Sequence, residues 1–78
     1  MIKNKENNIA TFVKKRRKAI ALSQVELAEK AGVGLRFIRD LEQGKLSLRT
    51  DKVNDVLRLF GYTIGAVELD REKIINNE

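Results

Sequence analysis

The chain has 78 residues, carries a formal net charge of +5 and contains neither histidine nor cysteine. Its length allows one small domain, and the two missing residue types exclude thiol nucleophiles, histidine bases, disulfides and Cys/His zinc sites. No apolar run approaches the roughly 20 residues that a membrane-spanning helix needs. We therefore expect a non-enzymatic protein of the reducing cytoplasm that needs no cofactor and no metal.

The positive charge is concentrated near the start of the chain. Residues 1–20 hold seven basic residues and one acidic residue, whereas residues 50–78 hold four basic and six acidic ones. Such asymmetry is typical of a protein that meets a polyanion with one side only. The basic run over residues 14–18 is equally consistent with a solvated helix face and with contact to nucleic acid or membrane.

A first helix is predicted over residues 8–21, preceded by a flexible arm at residues 1–7. Its apolar residues recur at helical spacing and form one face: Ile9, Phe12, Val13 and Ile20. Arg17 lies in the same stripe, where a charge is costly unless it is paired. We therefore expect Arg17 to form an ion pair with an acidic residue elsewhere in the chain.

The start of a second helix has the sharpest local pattern in the sequence. Ser23 and Glu26 have the spacing of a capping box, in which each side chain bonds the other residue's backbone N–H. The helix is therefore predicted to begin at Gln24. It is predicted to end at Ala31, because Gly32 adopts the left-handed cap conformation at little cost.

A third helix is predicted from Leu35 to Gln43, with Gly44 after it. Ile38 and Leu41 point inward at helical spacing. The outward residues are Leu35, Arg36, Phe37, Arg39 and Asp40. Two short helices joined by a glycine-containing turn describe a helix-turn-helix.

The last third of the chain predicts one more helix and one strand. The helix covers residues 51–60 with Thr50 as its N-cap, which makes residues 8–61 the helix-turn-helix domain. Residues 62–69 are rich in β-branched and aromatic side chains, so they predict a strand, and residues 70–78 a flexible tail. A lone strand invites a second copy of the chain to pair with it antiparallel. The dimer contacts predicted on it are Tyr62, Ile64 and Val67.

Residues 23–45, SQVELAEKAGVGLRFIRDLEQGK, resemble the Cro/repressor (Xre) class of helix-turn-helix domains. Cap, core and turn positions agree together: Ser23-Gln24, Glu26-Leu27-Ala28, Ala31-Gly32-Val33, Ile38, Leu41-Glu42 and Gly44-Lys45. Residues 48–69, LRTDKVNDVLRLFGYTIGAVEL, resemble HipB-like antitoxins, in which a strand replaces the phage repressors' fifth helix. The resemblance implies a mainly α, lambda-repressor-like fold of four helices with a C-terminal strand that pairs across a dimer.

The resemblance also implies roles for individual residues. It implies that Arg17 pairs with Glu42, and that the start of the third helix faces base edges. The implied DNA-binding residues are Gln24, Leu35, Arg36, Phe37, Arg39, Asp40, Gln43 and Lys45. The apolar pair Leu35 and Phe37 departs from the phage pattern, where polar residues are common. These two are expected to pack on thymine methyl groups, or Phe37 faces a protein.

Two functions follow from the resemblance. The first is a sequence-specific repressor that binds a palindromic operator in double-stranded DNA as a homodimer. This repressor would be the autoregulating antitoxin of a toxin–antitoxin pair. The alternative is an antitoxin that mainly neutralises a HipA-type kinase toxin, with DNA binding secondary. A membrane-surface role for the first helix is disfavoured, because its apolar face is needed for the core.

Overall fold

The computed structural model describes residues 8–68, apart from the side chain of Asn8. The predicted arm at residues 1–7, the predicted tail at 70–78 and the last residue of the predicted strand, Leu69, lie outside the described residues. The described part contains four helices: α1 (Asn8–Ala19), α2 (Gln24–Ala31), α3 (Leu35–Glu42) and α4 (Thr50–Arg58). None of the helices in this part is long and apolar enough to cross a membrane.

The capping box predicted for α2 is confirmed. The Ser23 hydroxyl accepts from the Glu26 backbone N–H at 3.0 Å, and the Ser23 backbone N–H donates to Glu26 Oε1 at 2.7 Å. This second bond favours the ionised carboxylate and lowers the pKa of Glu26. Local chemistry therefore fixes the start of α2.

The connections that follow all four helices use one hydrogen-bonding pattern, in which a residue with positive φ turns the chain. Those residues are Ala21 (φ 59°), Gly32 (φ 74°), Gly44 (φ 84°) and Gly61 (φ 84°). After α1, for example, the Leu22 N–H donates to the Arg17 carbonyl at 3.0 Å, and the Ala21 N–H donates to the Lys18 carbonyl at 3.0 Å. These are the two bonds of a Schellman motif, which satisfies helix-end carbonyls.

The structure corrects the predicted boundaries of three helices. The first helix ends at Ala19 rather than at residue 21, because the left-handed residue after it breaks the helical path, and Ile20 is 56 % exposed instead of buried. The third helix ends at Glu42, one residue early. The fourth covers Thr50–Arg58 instead of residues 51–60, so Thr50 is its first residue and not its N-cap.

The core forms where the four helices meet. Its buried members are Val13 of α1, Leu27 and Ala28 of α2, Ile38 and Leu41 of α3, and Val53, Val56 and Leu57 of α4. Helix α3 packs against α1 and α2, and α2 also packs against α4. Because Ile38 and Leu41 anchor α3 from inside, its opposite face is held outward.

Residues 62–68 form neither a helix nor sheet pairing within the described part of the chain. The beginning of this segment is nevertheless fixed to the helices. The rings of Tyr62 and Phe12 meet edge to face, with centroids 4.6 Å apart. The Thr63 hydroxyl and the Ile64 N–H both donate to Asn54 Oδ1, at 3.1 and 2.8 Å. The predicted strand and its pairing across a dimer therefore stay predictions.

Candidate nucleic-acid interface

The outer face of α3 brings four of the predicted site residues together. Arg36, Arg39, Asp40 and Gln43 line one shallow surface depression. Arg36 is the second residue of α3, and its side chain is 85 % exposed. The face thus presents two guanidinium groups, one amide and one carboxylate to solvent, the side-chain types that hydrogen-bond to base edges and phosphates.

Lys45 joins this face from the loop that follows α3. Its backbone N–H donates to the Asp40 carbonyl at 3.0 Å, and the Gly44 N–H donates to the Leu41 carbonyl at 3.1 Å. Its Nζ lies 3.6 Å from Asp40 Oδ2. The Schellman motif at the end of α3 therefore places the Lys45 ammonium beside the helix instead of leaving it on a free loop.

The structure brings Arg17 and Glu42 into a bidentate ion pair. Arg17 Nε donates to Glu42 Oε2 at 2.7 Å and Arg17 Nη2 donates to Oε1 at 2.9 Å, with the two side chains 10 % and 2 % exposed. The remaining guanidinium nitrogen, Nη1, donates to the Leu22 carbonyl at 2.9 Å. One buried cation thus ties α1 to the end of α3 and to the connection before α2.

Gln24 is attached to the same ion pair. Its Nε2 donates to Glu42 Oε1 at 3.0 Å, and its side chain is partly buried at the first position of α2. An amide nitrogen carries two N–H groups, so one remains for a second acceptor. The side chain is thereby oriented before any ligand arrives.

Opposing effects set the ionisation of Glu42. Burial raises the pKa of the carboxyl, but the hydrogen bonds from Arg17 and Gln24, together with the charges of Arg17 and Lys14, outweigh burial and leave the pKa lowered. The Arg17 guanidinium has a raised pKa, chiefly because it donates to Glu42. Both groups are therefore charged at neutral pH.

Leu35 and Phe37 are less exposed than the sequence predicts. Both side chains are partly buried, and Phe37 packs against the core cluster. The reason is helical geometry: Phe37 precedes buried Leu41 by four residues and so borders the inward stripe. The expectation that Phe37 is exposed is wrong.

The sequence interpretation missed the residues that hold the segment after α4. Arg16 donates from Nη2 to the Tyr62 hydroxyl at 3.0 Å, and its guanidinium carbon lies 5.2 Å from the Phe12 ring centroid. Phe12 and Arg16 are four residues apart on α1, a spacing that brings side chains together. That spacing could have singled Arg16 out of the basic run. No comparable signal in the sequence marks Asn54.

Comparison with known proteins agrees with this architecture. The helix-turn-helix family HTH_3 matches residues 13–67, which include most of α1 and all of α2 to α4. A relative from Sinorhizobium fredii (strain NBRC 101917 / NGR234), described as the uncharacterized HTH-type transcriptional regulator y4mF, is 49 % identical over 57 residues. That alignment covers 73 % of this chain and 75 % of the relative.

Proposed function

The chain belongs to the helix-turn-helix family HTH_3, and from that premise we propose that it represses transcription by binding a palindromic operator as a homodimer. The family match and the regulator-named relative support DNA-binding transcriptional regulation.

The observation that carries the proposal is the outer face of α3. A helix fits the major groove, where each base pair presents its own pattern of donors and acceptors. Arg36 is close to the N-terminus of α3, and its side chain is almost fully exposed. In this assignment its guanidinium donates to O6 and N7 of a guanine, and Arg39 contacts the next bases or a phosphate.

Three further residues serve as phosphate contacts in the proposed complex. Gln24, held by Glu42, donates its second amide N–H to a phosphate oxygen. Gln43 and Lys45 act at the other end of α3, where both side chains are exposed. Such contacts fix the register of the helix in the groove but carry no sequence information themselves. Leu35 is assigned a thymine methyl contact, and Phe37 supports α3 from the core.

The dimer is assigned to the segment after α4. One helix-turn-helix covers one half-site, so a palindrome needs two copies about 34–36 Å apart. The anchoring of Tyr62 and Ile64 to the helices supports a fixed starting point for this segment. Val67, three residues beyond, is 85 % exposed and is available for a second copy.

A second candidate function is neutralisation of a HipA-type kinase toxin, as an antitoxin that also represses its own operon. It is favoured by apolar side chains exposed away from the α3 face, such as Leu59 on the turn after α4. Co-expression with a HipA-type kinase whose activity arrests growth tests it. Rescue of growth by a variant that no longer binds DNA would make neutralisation the main role, whereas failure of the intact protein to rescue growth would exclude it.

Selection of binding sites from random duplex DNA tests the repressor proposal. We expect enrichment of a palindrome whose half-site centres are about 10–10.5 bp apart, or a multiple of that distance. A protein carrying both K15A and K18A on α1 is the matched control, because these exposed cations lie outside the proposed interface. It should select the same palindrome. Absence of any enriched sequence from the intact protein would contradict the proposal.

A further inference from the structure

The carboxylate of Asp40 lies between two cations of the proposed DNA-binding face. Its Oδ1 is 3.9 Å from Arg36 Nε, and its Oδ2 is 3.6 Å from Lys45 Nζ. Arg39 contributes a third cation to the same depression. An acidic side chain is unfavourable beside a phosphate backbone, so its presence in the middle of this face calls for a physical reason.

The Asp40 carboxylate is less exposed than its two cationic partners. Arg36 and Asp40 are four residues apart on α3 and are therefore neighbours on its surface. Lys45 is brought back by the backbone bond from its N–H to the Asp40 carbonyl. The Asp40 side chain is only 25 % exposed, against 85 % for Arg36 and 52 % for Lys45. The anion is thus the least exposed member of the group.

Resting on the proposed function, we propose that Asp40 is a positioning residue that sets sequence specificity without contacting DNA itself. Its negative charge attracts the Arg36 guanidinium across 3.9 Å, without a hydrogen bond in the unbound protein, and offsets the charge of Lys45 near the DNA backbone.

The carboxylate of Asp40 affects binding to random duplex DNA and binding to the operator in opposite directions. Affinity for random duplex depends on how many phosphates the protein neutralises, so an anion among the cations weakens it. Affinity for the operator also depends on bidentate contact to a base, and a guanidinium whose range of positions is narrowed by a nearby carboxylate loses less side-chain entropy on making that contact. Asp40 therefore raises the ratio of operator affinity to random-duplex affinity.

The test compares D40N, which keeps the shape and removes the charge, with D40E, which keeps the charge. For D40N we expect log K for random duplex to depend more steeply on log salt, by up to about 0.9 per protomer. The ratio of operator to random-duplex affinity should fall by about fivefold or more, the lower range of what one bidentate arginine contributes. D40E should stay closer to the wild type in both measurements.

The matched control is D55N on α4. Asp55 also pairs with an arginine, Arg58, three residues away, and its change to Asn removes the same single negative charge outside the proposed interface. Thermal unfolding of each variant shows whether it is folded at the assay temperature. If D40N lowers the affinity ratio no more than D55N does, the positioning role is wrong.

Other outcomes separate this inference from the proposed function. A new base preference at one operator position, with an unchanged salt dependence, would show that Asp40 accepts a hydrogen bond from cytosine N4 and reads DNA directly. That result would overturn the positioning role and leave the repressor intact. Failure of the wild type to select any sequence would instead remove the proposed function, and the inference with it.

Discussion

Glu42 accepts two hydrogen bonds from Arg17, at 2.7 and 2.9 Å, and a third from Gln24 at 3.0 Å, while its own side chain is only 2 % exposed. The ion pair of Arg17 and Glu42 has two consequences. It neutralises a cation that sits in the apolar stripe of α1, and it orients the first side chain of α2. A substitution at either residue is expected to affect both stability and the proposed phosphate contact.

Truncation of one partner should leave the other charge buried without compensation. We expect R17M or E42L alone to lower the free energy of unfolding by about 3–5 kcal/mol. The double variant should lose much less than the sum, because two apolar side chains can replace a buried pair. Denaturant unfolding of the four proteins measures the coupling energy. A coupling near zero would show that the two side chains do not interact in solution.

Stability should fall in acid because of Glu42. Its pKa is lowered in the folded protein, so its contribution is complete above the unfolded value of about 4.3 and is lost as pH falls through the lower folded value. In E42Q this part of the pH dependence should disappear. Unfolding free energies measured between pH 7 and pH 2 test this, with E29Q at an exposed position of α2 as the matched control. Equal acid sensitivity of E42Q and the wild type would rule the assignment out.

Ala21 should be replaceable by glycine with a gain in stability. It is exposed and has φ 59°, a conformation that costs an ordinary L-residue about 1–2 kcal/mol. After allowance for the greater backbone freedom of unfolded glycine, A21G should raise the free energy of unfolding by about 0.5–1 kcal/mol. The control is A19G at the end of α1, which should lower it by a similar amount. A destabilised A21G would mean that the methyl group contributes packing that exceeds the strain.

The two cations beside Asp40 should respond differently to substitution. R36A should weaken operator binding by about 1–3 kcal/mol and relax the preference at one base position in each half-site. K45A should weaken binding to all sequences alike and reduce the salt dependence by about one unit per half-site. Selection from random duplex DNA, repeated with each variant, separates them. An unchanged consensus for R36A would disprove its base-reading role.

The sequence predicted those features that short stretches of chain determine. Local chemistry and helical spacing predict the capping box of α2, its end at Ala31 before the left-handed Gly32, and the inward positions of Ile38 and Leu41. The end of α1 could not be predicted in this way, because the left-handed position there is occupied by Ala21 rather than by glycine. A propensity argument has no means of placing alanine in that conformation.

The features that the sequence alone does not predict depend on contacts between distant parts of the chain. Arg17 was expected to need an acid because its charge lies in an apolar stripe, but Glu42 was identified only through the family resemblance. Gln24 joins that pair across 18 residues, and Arg16 meets Tyr62 across 46. No periodicity in the sequence encodes either contact, since both depend on how the helices pack.

The exposed end of the segment after α4 provides the test of the dimer. Val67 is 85 % exposed, so its side chain adds little to the fold of one protomer, whereas Tyr62 packs on Phe12 and cannot be removed without cost to that fold. A charge at residue 67 should therefore separate two protomers without unfolding either one. We expect the wild type to be dimeric at tens of micromolar, and V67D to be monomeric with an unchanged helical circular dichroism spectrum. Operator binding by V67D should fall towards that of an isolated half-site.

V25D places the same charge at a half-exposed valine on α2, away from this segment, and should remain dimeric. Light scattering on the three proteins decides the matter: a monomeric wild type, or a V67D variant that still dimerises, would show that another surface sets the spacing between half-sites.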